Sequence, residues 1–475
     1  MKKFLIFFLT LALPFLLFFC DKNSNSVGPD DIDYGSIQTI EFTKHVQPLL
    51  NEYAKILQDA AVFPPGLQMD SWENLIKGWE RGEAIIPFDS DNSLLIELTR
   101  KLSYANKLDS VKINFLARWI DEGAKNDAGQ IPYADAKNLL YVCSQGESII
   151  NIIDADALVV TRNVDLTDFG FPRSSKAHHI AFSPDKQFWF VSCIDNQVNK
   201  VLKFTVADNQ LVGQFDGFIP ALMDHHPTEN TLYVSKFTVN NPTSSITAIN
   251  SETMTGFDGG DGTILFPPNL AVLHAMRVAH NGEFVYTASF AEDVFLVVEN
   301  ATKSFVDQVI LGNDRTPVQI GVTPDDQKAY VSCIGTGEIV VIDMTDTANR
   351  HIETAISVGG QPWHNVFSPD GTKFYVGNLG LNKFHVINTA DFSVQSFGAG
   401  DGSDGLSQPH GIDISPDGQR LFISGRNTSG NYHPAYDFGD NATIGTVVVI
   451  NTADNSIEKV IEIENFGSGM RLLSK

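Results

Sequence analysis

The chain has 475 residues and a formal net charge of −24 at pH 7, with 33 Lys and Arg against 57 Asp and Glu. So acidic a surface repels nucleic-acid phosphates and anionic lipid headgroups, which argues against a nucleic-acid partner and against electrostatic membrane binding. The length is too great for one ordinary domain, and the frequent aromatic and β-branched residues with Gly and Asn/Asp turns predict a mainly β body.

Lys2 and Lys3 precede an apolar run, Phe4–Phe19, in which Thr10 is the one polar member, and then comes Cys20. A basic start, an apolar stretch and a cleavage point make an export signal, and the run is short for a membrane span. Leu17-Phe18-Phe19-Cys20 resembles a bacterial lipobox, with Phe19 where a small residue is usual. Residues 1–20 are therefore expected to be a lipoprotein-type signal peptide with lipidation at Cys20, and residues 21–34 a flexible tether. An uncleaved anchor and plain secretion are the alternatives. All three place the body outside the cytoplasm, in the cell envelope on the periplasmic or outer-surface side, with membrane attachment through a lipid anchor only.

Residues 35–130 read as a small all-α domain. Phe42–Leu57 has apolar residues at helical spacing, Ser71–Lys77 reads as a second helical piece, Ser93–Arg100 as a third with Ser93 as N-cap, and Ser110–Gly123 as a fourth that Gly123 ends. Val46-Gln47-Pro48-Leu49-Leu50, Ser71–Leu75, Ser90–Leu95 and Trp119–Asn126 resemble, in that order, the small c-type cytochrome domains of exported bacterial proteins. That family carries Cys-x-x-Cys-His after its first helix. Here Glu52–Gln58 holds neither Cys nor His, and Ser103–Leu108 lacks the axial Met. Covalent haem requires the thiols and the iron an axial ligand, so haem is expected to be absent and the domain to serve as a spacer or docking module.

From 131 to 475 one unit repeats: a turn, a strand, a turn and a second strand. Second strands begin at Leu140, Phe190, Tyr233, Val285, Tyr330, Tyr375 and Phe422, and each is followed by a partner strand, from Ile149–Asp154 to Val447–Asn451. A β-repeat of about 45 residues marks a propeller blade. Turns such as Ser183-Pro184-Asp185, Thr323-Pro324-Asp325, Ser368-Pro369-Asp370-Gly371 and Ser415-Pro416-Asp417-Gly418 precede the second strands. Pro presets φ there, Asp caps the turn and Gly takes positive φ. Six such turns serve seven second strands, so the C-terminal stretch Gly467–Leu473 is expected to supply the missing inner strand beside residue 141 and close the ring. Tyr330–Cys333, Ser368–Gly377 and Ser415–Ser424 resemble the YVTN family of β-propellers, which implies the fold and leaves the function open. The expected architecture is a seven-bladed β-propeller behind a cytochrome c-like helical domain without haem.

Four cysteines occur. Cys143, Cys193 and Cys333 fall at like positions in different repeats, too far apart to bridge, and read as small buried residues. The twelve histidines are unevenly placed. His178, His179, His274, His364 and His410 all stand at the start of an inner strand, four or five residues before a turn, where a propeller gathers side chains at its channel mouth. Gln319 holds that register in another blade. His433 lies on a long loop of the last blade that is able to fold over the mouth. Imidazoles gathered this way suit copper or zinc. His178-His179, His364 and Gln408-Pro409-His410-Gly411 resemble the channel histidines of nitrous-oxide reductase, which implies a copper-like site, and the candidate metal ligands are His178, His179, His274, His364, His410 and His433. That enzyme's copper domain with paired cysteines has no counterpart here. Ordinary polar channel lining and a metal-free ligand pocket are the other readings. Asp258–Gly262 and Asp401–Gly405 read as flexible inter-blade loops in preference to calcium sites. No nucleophile elbow or phosphate-cradling loop stands out. The sequence thus predicts a lipid-anchored envelope propeller that binds a protein or small-molecule ligand at its face, with a periplasmic metalloprotein or oxidoreductase as the alternative.

Overall fold

The computed structural model describes residues 32–475 apart from 104–107, 238–243, 268–269, 271 and 440. Cys20, the signal segment, most of the tether and the position of the missing axial Met lie outside the described residues.

Seven antiparallel sheets close into a ring. Blade one is composite. Its outer three strands are Asn138–Ser144, Ile149–Asp154 and Val159–Asp165, and its inner strand is Gly467–Ser474 from the C-terminus, paired with Tyr141 opposite Arg471. Closure thus uses the strand that the sequence predicts. Blades two to seven begin with inner strands Ala177–Phe182, Pro220–His225, Leu273–Val278, Pro317–Val322, Pro362–Phe367 and Pro409–Ile414.

The turns after these inner strands are built as their residues dictate. Ser183 Oγ donates to Asp185 Oδ1 at 2.6 Å and accepts from the Phe188 amide at 3.0 Å. Thr323–Asp325, Ser368–Asp370 and Ser415–Asp417 repeat the first bond. Gly371 and Gly418 take φ of 69° and 72°, open to glycine at little cost. Between blades the cores are aromatic and aliphatic; Trp189 stacks on Phe204 at 4.3 Å within the cluster that joins blades one and two. Cys143, Cys193 and Cys333 are buried free thiols.

The helical region holds α-helices Gln47–Asp59, Trp72–Leu75, Leu94–Ser103 and Ser110–Asp121, and a π-turn, Phe42–Val46, precedes the first. Ser71 caps the second helix by accepting from the Asn74 amide. Ser93 does not act as the predicted cap. Its hydroxyl instead ties down the preceding loop, accepting from the Ile86 amide and donating to the Asp89 carbonyl. Tyr53, Trp72, Trp119 and Met69 fill the core of this region. The Glu52–Gln58 stretch lies within the first helix, and the Tyr53 hydroxyl donates to Leu95 O at 3.0 Å. No described helix is long and apolar enough to cross a membrane.

The helical region packs against blades one and seven. Arg81 donates to Tyr432 Oη at 2.9 Å and to Glu462 at 3.3 Å. Tyr436 reaches Val62 O at 3.1 Å and packs on Trp79. A cleft of about 690 Å³ remains between the two parts, with Glu83 and Glu464 among its walls.

Candidate functional site at the channel mouth

In every blade the pairing of inner and second strand slips near the start of the inner strand. His178 lies in the slip between Ala177 and His179, His274 between Leu273 and Ala275, His364 between Pro362 and Asn365, and His410 between Pro409 and Ile412. A bulge re-aims the extra side chain. The strand starts therefore turn these histidines out of the pleat and toward one another.

Four rings form a closed circuit. Centroid separations are 5.8 Å for His178–His274, 6.4 Å for His274–His364, 4.5 Å for His364–His410 and 5.6 Å for His410–His178. His179 stands beside the circuit, 6.1 Å from His364. All five are buried, His410 completely. His433 is not among them. Its side chain is exposed, and its carbonyl accepts from Arg81 of the helical region at 3.3 Å.

Hydrogen bonds fix several tautomers. His274 Nδ1 lies 2.7 Å from Val318 O, so it donates and leaves the lone pair on Nε2. His178 Nδ1 lies 2.9 Å from Gln145 Oε1, which assigns its lone pair to Nε2 too. His179 is the opposite, since its Nδ1 accepts from the Met223 amide at 3.4 Å. Buried Nε2 of His178, Nε2 of His364 and both nitrogens of His410 have no hydrogen-bond partner.

The site is electrostatically one-sided. Burial, and then neighbouring imidazoles and Arg426, hold His178, His364 and His410 well below the ordinary imidazole range. Burial pushes His274 down to about 4, against the pull of Val318 O. His179 is pushed down to about 3 by burial and then by Arg471. All five are neutral at pH 7. Three residues further along the inner strands lie Asp224, Arg277, Asp413 and Arg471, whose charges balance. Arg277 and Arg471 approach Asp224 at 3.6 and 3.9 Å, and Asp413 accepts from the Leu472 amide at 2.7 Å.

Around the circuit stand residues that the repeat pattern does not single out. Trp363 packs on His410 at 5.5 Å, Phe237 on His274 at 5.4 Å, and the Arg426 guanidinium lies over Trp363 at 5.1 Å. Trp363 directly precedes His364, and Arg426 directly follows the second strand of its blade, Arg420–Gly425. The acidic glycine loops spend carboxylate oxygens on their own backbone: Asp258 accepts from Gly260 and Gly262, and Asp401 from Ser403. As the side chains stand, no three His, Cys, Asp or Glu among the described residues are arranged to hold a metal ion.

A closed ring of seven blades whose strand starts gather polar side chains in the channel defines a seven-bladed β-propeller. The family model "Lactonase, 7-bladed beta-propeller" matches residues 219–454, just under half of the chain. A functionally unknown protein from Desulfotomaculum acetoxidans superposes at TM-score 0.55 and 16% identity, covering 71% of this chain and 99% of its own. The periplasmic gluconolactonase PpgL of Pseudomonas aeruginosa gives 0.54 and 15%, over 71% and 99%. A protein from Lactobacillus plantarum gives 0.54 and 13%, over the same shares. At these identities the likeness is one of fold, a seven-bladed β-propeller. No curated protein matches the chain.

Proposed function

We propose that this protein is a cell-envelope propeller that holds a transition-metal ion, copper or zinc, in its channel through His178, His274, His364 and His410. The observation that carries this reading is the closed circuit of neutral imidazoles in which His178 Nε2, His364 Nε2 and both nitrogens of His410 are buried without partners. Imidazoles sharing one ion at about 2.1 Å put their centroids about 4.5 to 6.5 Å apart, and the separations of the four neighbouring pairs among the six fall in that range. Neutral imidazole is the ligating form and suits copper and zinc. Val318 O and Gln145 orient two of the rings as outer partners do in metal sites. Because His410 is fully covered, the occupant must be small. Binding requires the rings to turn so that their nitrogens converge. The test is metal analysis with a visible spectrum on protein grown in copper- and zinc-supplemented medium. Near-stoichiometric metal is expected in the wild type and none in a His364→Ala, His410→Ala double variant. Wild-type protein free of both metals sinks the reading.

Export and lipidation at Cys20 rest on the sequence of the first twenty residues. Palmitate labelling that persists in a Cys20→Ser variant would remove the anchor. The helical region is, in this reading, a haem-less scaffold that braces the propeller.

A second reading, hydrolysis of a cyclic ester, is favoured by the family match to residues 219–454. A neutral buried imidazole is able to take a proton from water at pH 7. Acid release from glucono-δ-lactone no faster than in buffer rules it out.

A further inference from the structure

In a chain of net charge −24, the channel mouth carries one arginine with no acid beside it. That arginine is Arg426. With the imidazoles neutral, it is the charged side chain that bears on His178, His364 and His410, with no carboxylate beside it. Its guanidinium lies over the ring of Trp363 at 5.1 Å and over that of Phe466 at 4.7 Å. Its Nε is buried without a hydrogen-bond partner, and among the described residues no carboxylate pairs with it. Burial alone pushes its pKa down to about 10.

The same channel pairs its other arginines. Arg277 and Arg471, one layer deeper, both face Asp224. Arg426 is half-buried, with its Nε out of water, so a fold that pairs two arginines with an acid and leaves this third one without an acid leaves its guanidinium open to an oxyanion. Further donors stand nearby without acceptors: Trp363 Nε1 and Ser407 Oγ are buried and unpartnered. The unpaired acceptors at this level, Gln319 Oε1 and Asn365 Oδ1, are neutral. Gln408 Oε1 is already engaged by the amide and hydroxyl of Thr428.

We propose that the channel mouth is an anion-binding site in which Arg426 takes the carboxylate or phosphate group of a small soluble molecule. The guanidinium fork is held in place by two aromatic faces, which pre-organises it for a planar or tetrahedral oxyanion. Trp363 N–H is a second donor. The site is independent of the metal, and an ion held by the histidines adds to its pull.

The test is a thermal-shift and calorimetric titration of the full chain with inorganic phosphate and with acetate, at constant ionic strength against potassium chloride. It is run once after chelation and again after copper loading, so that anion and metal binding are read separately. The wild type is expected to be stabilised by phosphate or acetate beyond the chloride control, and the preferred probe names the anion class. Arg426→Met should bind that probe at least tenfold more weakly and, without ligand, melt at or near the wild-type temperature, because a half-buried charge with no acid partner has gone. Arg426→Lys, which keeps the charge and loses the fork, should fall between the two. No response of the wild type to either anion overturns the proposal. So does an Arg426→Met variant that folds and binds as the wild type does, or one whose ligand-free protein melts well below it.

Discussion

His364 and His410 begin the inner strands of neighbouring blades, and their rings lie 4.5 Å apart, the shortest separation in the imidazole circuit. Neither Nε2 has a partner, and His410 lacks one at Nδ1 as well. Two polar rings this close, without hydrogen bonds and out of water, cost the fold stability that a ligand would restore.

That cost gives the first prediction. His410→Leu should leave the metal-free protein as stable as the wild type or about 1 kcal/mol more stable, since two orphaned nitrogens go and an apolar side chain of fair fit replaces them. The same change should abolish metal uptake. Urea unfolding of chelated protein and metal analysis of loaded protein measure the two effects. A large loss of stability in the chelated variant would mean that the ring is paired in solution.

The second concerns pH and a histidine away from the channel. His385 is buried, its Nε2 accepts from Asn378 at 2.9 Å and its Nδ1 faces Ser396 Oγ at 2.8 Å. Burial pushes it down to about 4. A depressed folded pKa means that the unfolded chain takes up the proton first. The stability is complete above the unfolded value of 6.5 and is lost as pH falls toward about 4. One such group contributes a slope of about 1.4 kcal/mol per pH unit. In that window His385→Gln should show a slope shallower by about that amount in denaturant titrations.

The third concerns the cleft between the helical region and the propeller. Glu83 accepts from the Val160 amide at 3.0 Å. Burial in the cleft, with Glu464 also near, raises it to about 7. A raised folded pKa reverses the sign: the stability is present below the unfolded value of 4.5 and is lost as pH rises through about 7. Part of the side chain still reaches solvent, which keeps the effect near 1 kcal/mol. Glu83→Gln should therefore match the wild type at pH 4.5 and exceed it by about 1 kcal/mol at pH 8. Equal pH dependence of the two proteins would show that Glu83 ionises freely.

The fourth ties closure to the site. A Cβ on Gly469 would lie 2.2 Å from His178 O and 3.0 Å from His179 Cα. Gly469→Ala must push the closing strand away from the strand that carries these histidines, at about 1–3 kcal/mol. Melting temperature and metal uptake should fall together. An unchanged melting temperature would mean that the two strands are less tightly apposed.

The ring of blades was legible because each repeat carries its own turn chemistry. Thr323, Ser368 and Ser415 announce their turns through the residues that make their hydrogen bonds. The convergence of His178, His274, His364 and His410 was legible for the same reason: equal register in a ring means equal depth in its channel. The rest depended on side-chain placement. Nothing in the repeat says that a bulge falls beneath each histidine. Nothing says that Trp363 and Phe466 sandwich an arginine that has no acid. His433 looked like a lid by its place on a long loop, yet its carbonyl serves Arg81, a contact set by how the helical region docks. Ser93 likewise stood at a capping position while its hydroxyl was needed seven residues back, at Ile86.

Blade one takes its inner strand from Gly467–Ser474 and the rest from residues before 166. His178 donates to Gln145 of that blade and lies within 3.5 Å of Ser468 in the closing strand. The channel mouth is thus incomplete until Gly467–Ser474 pairs beside Asn138–Ser144. A chain cut before Gly467 keeps nearly all of its mass and its outer surface and loses the strand that backs His178.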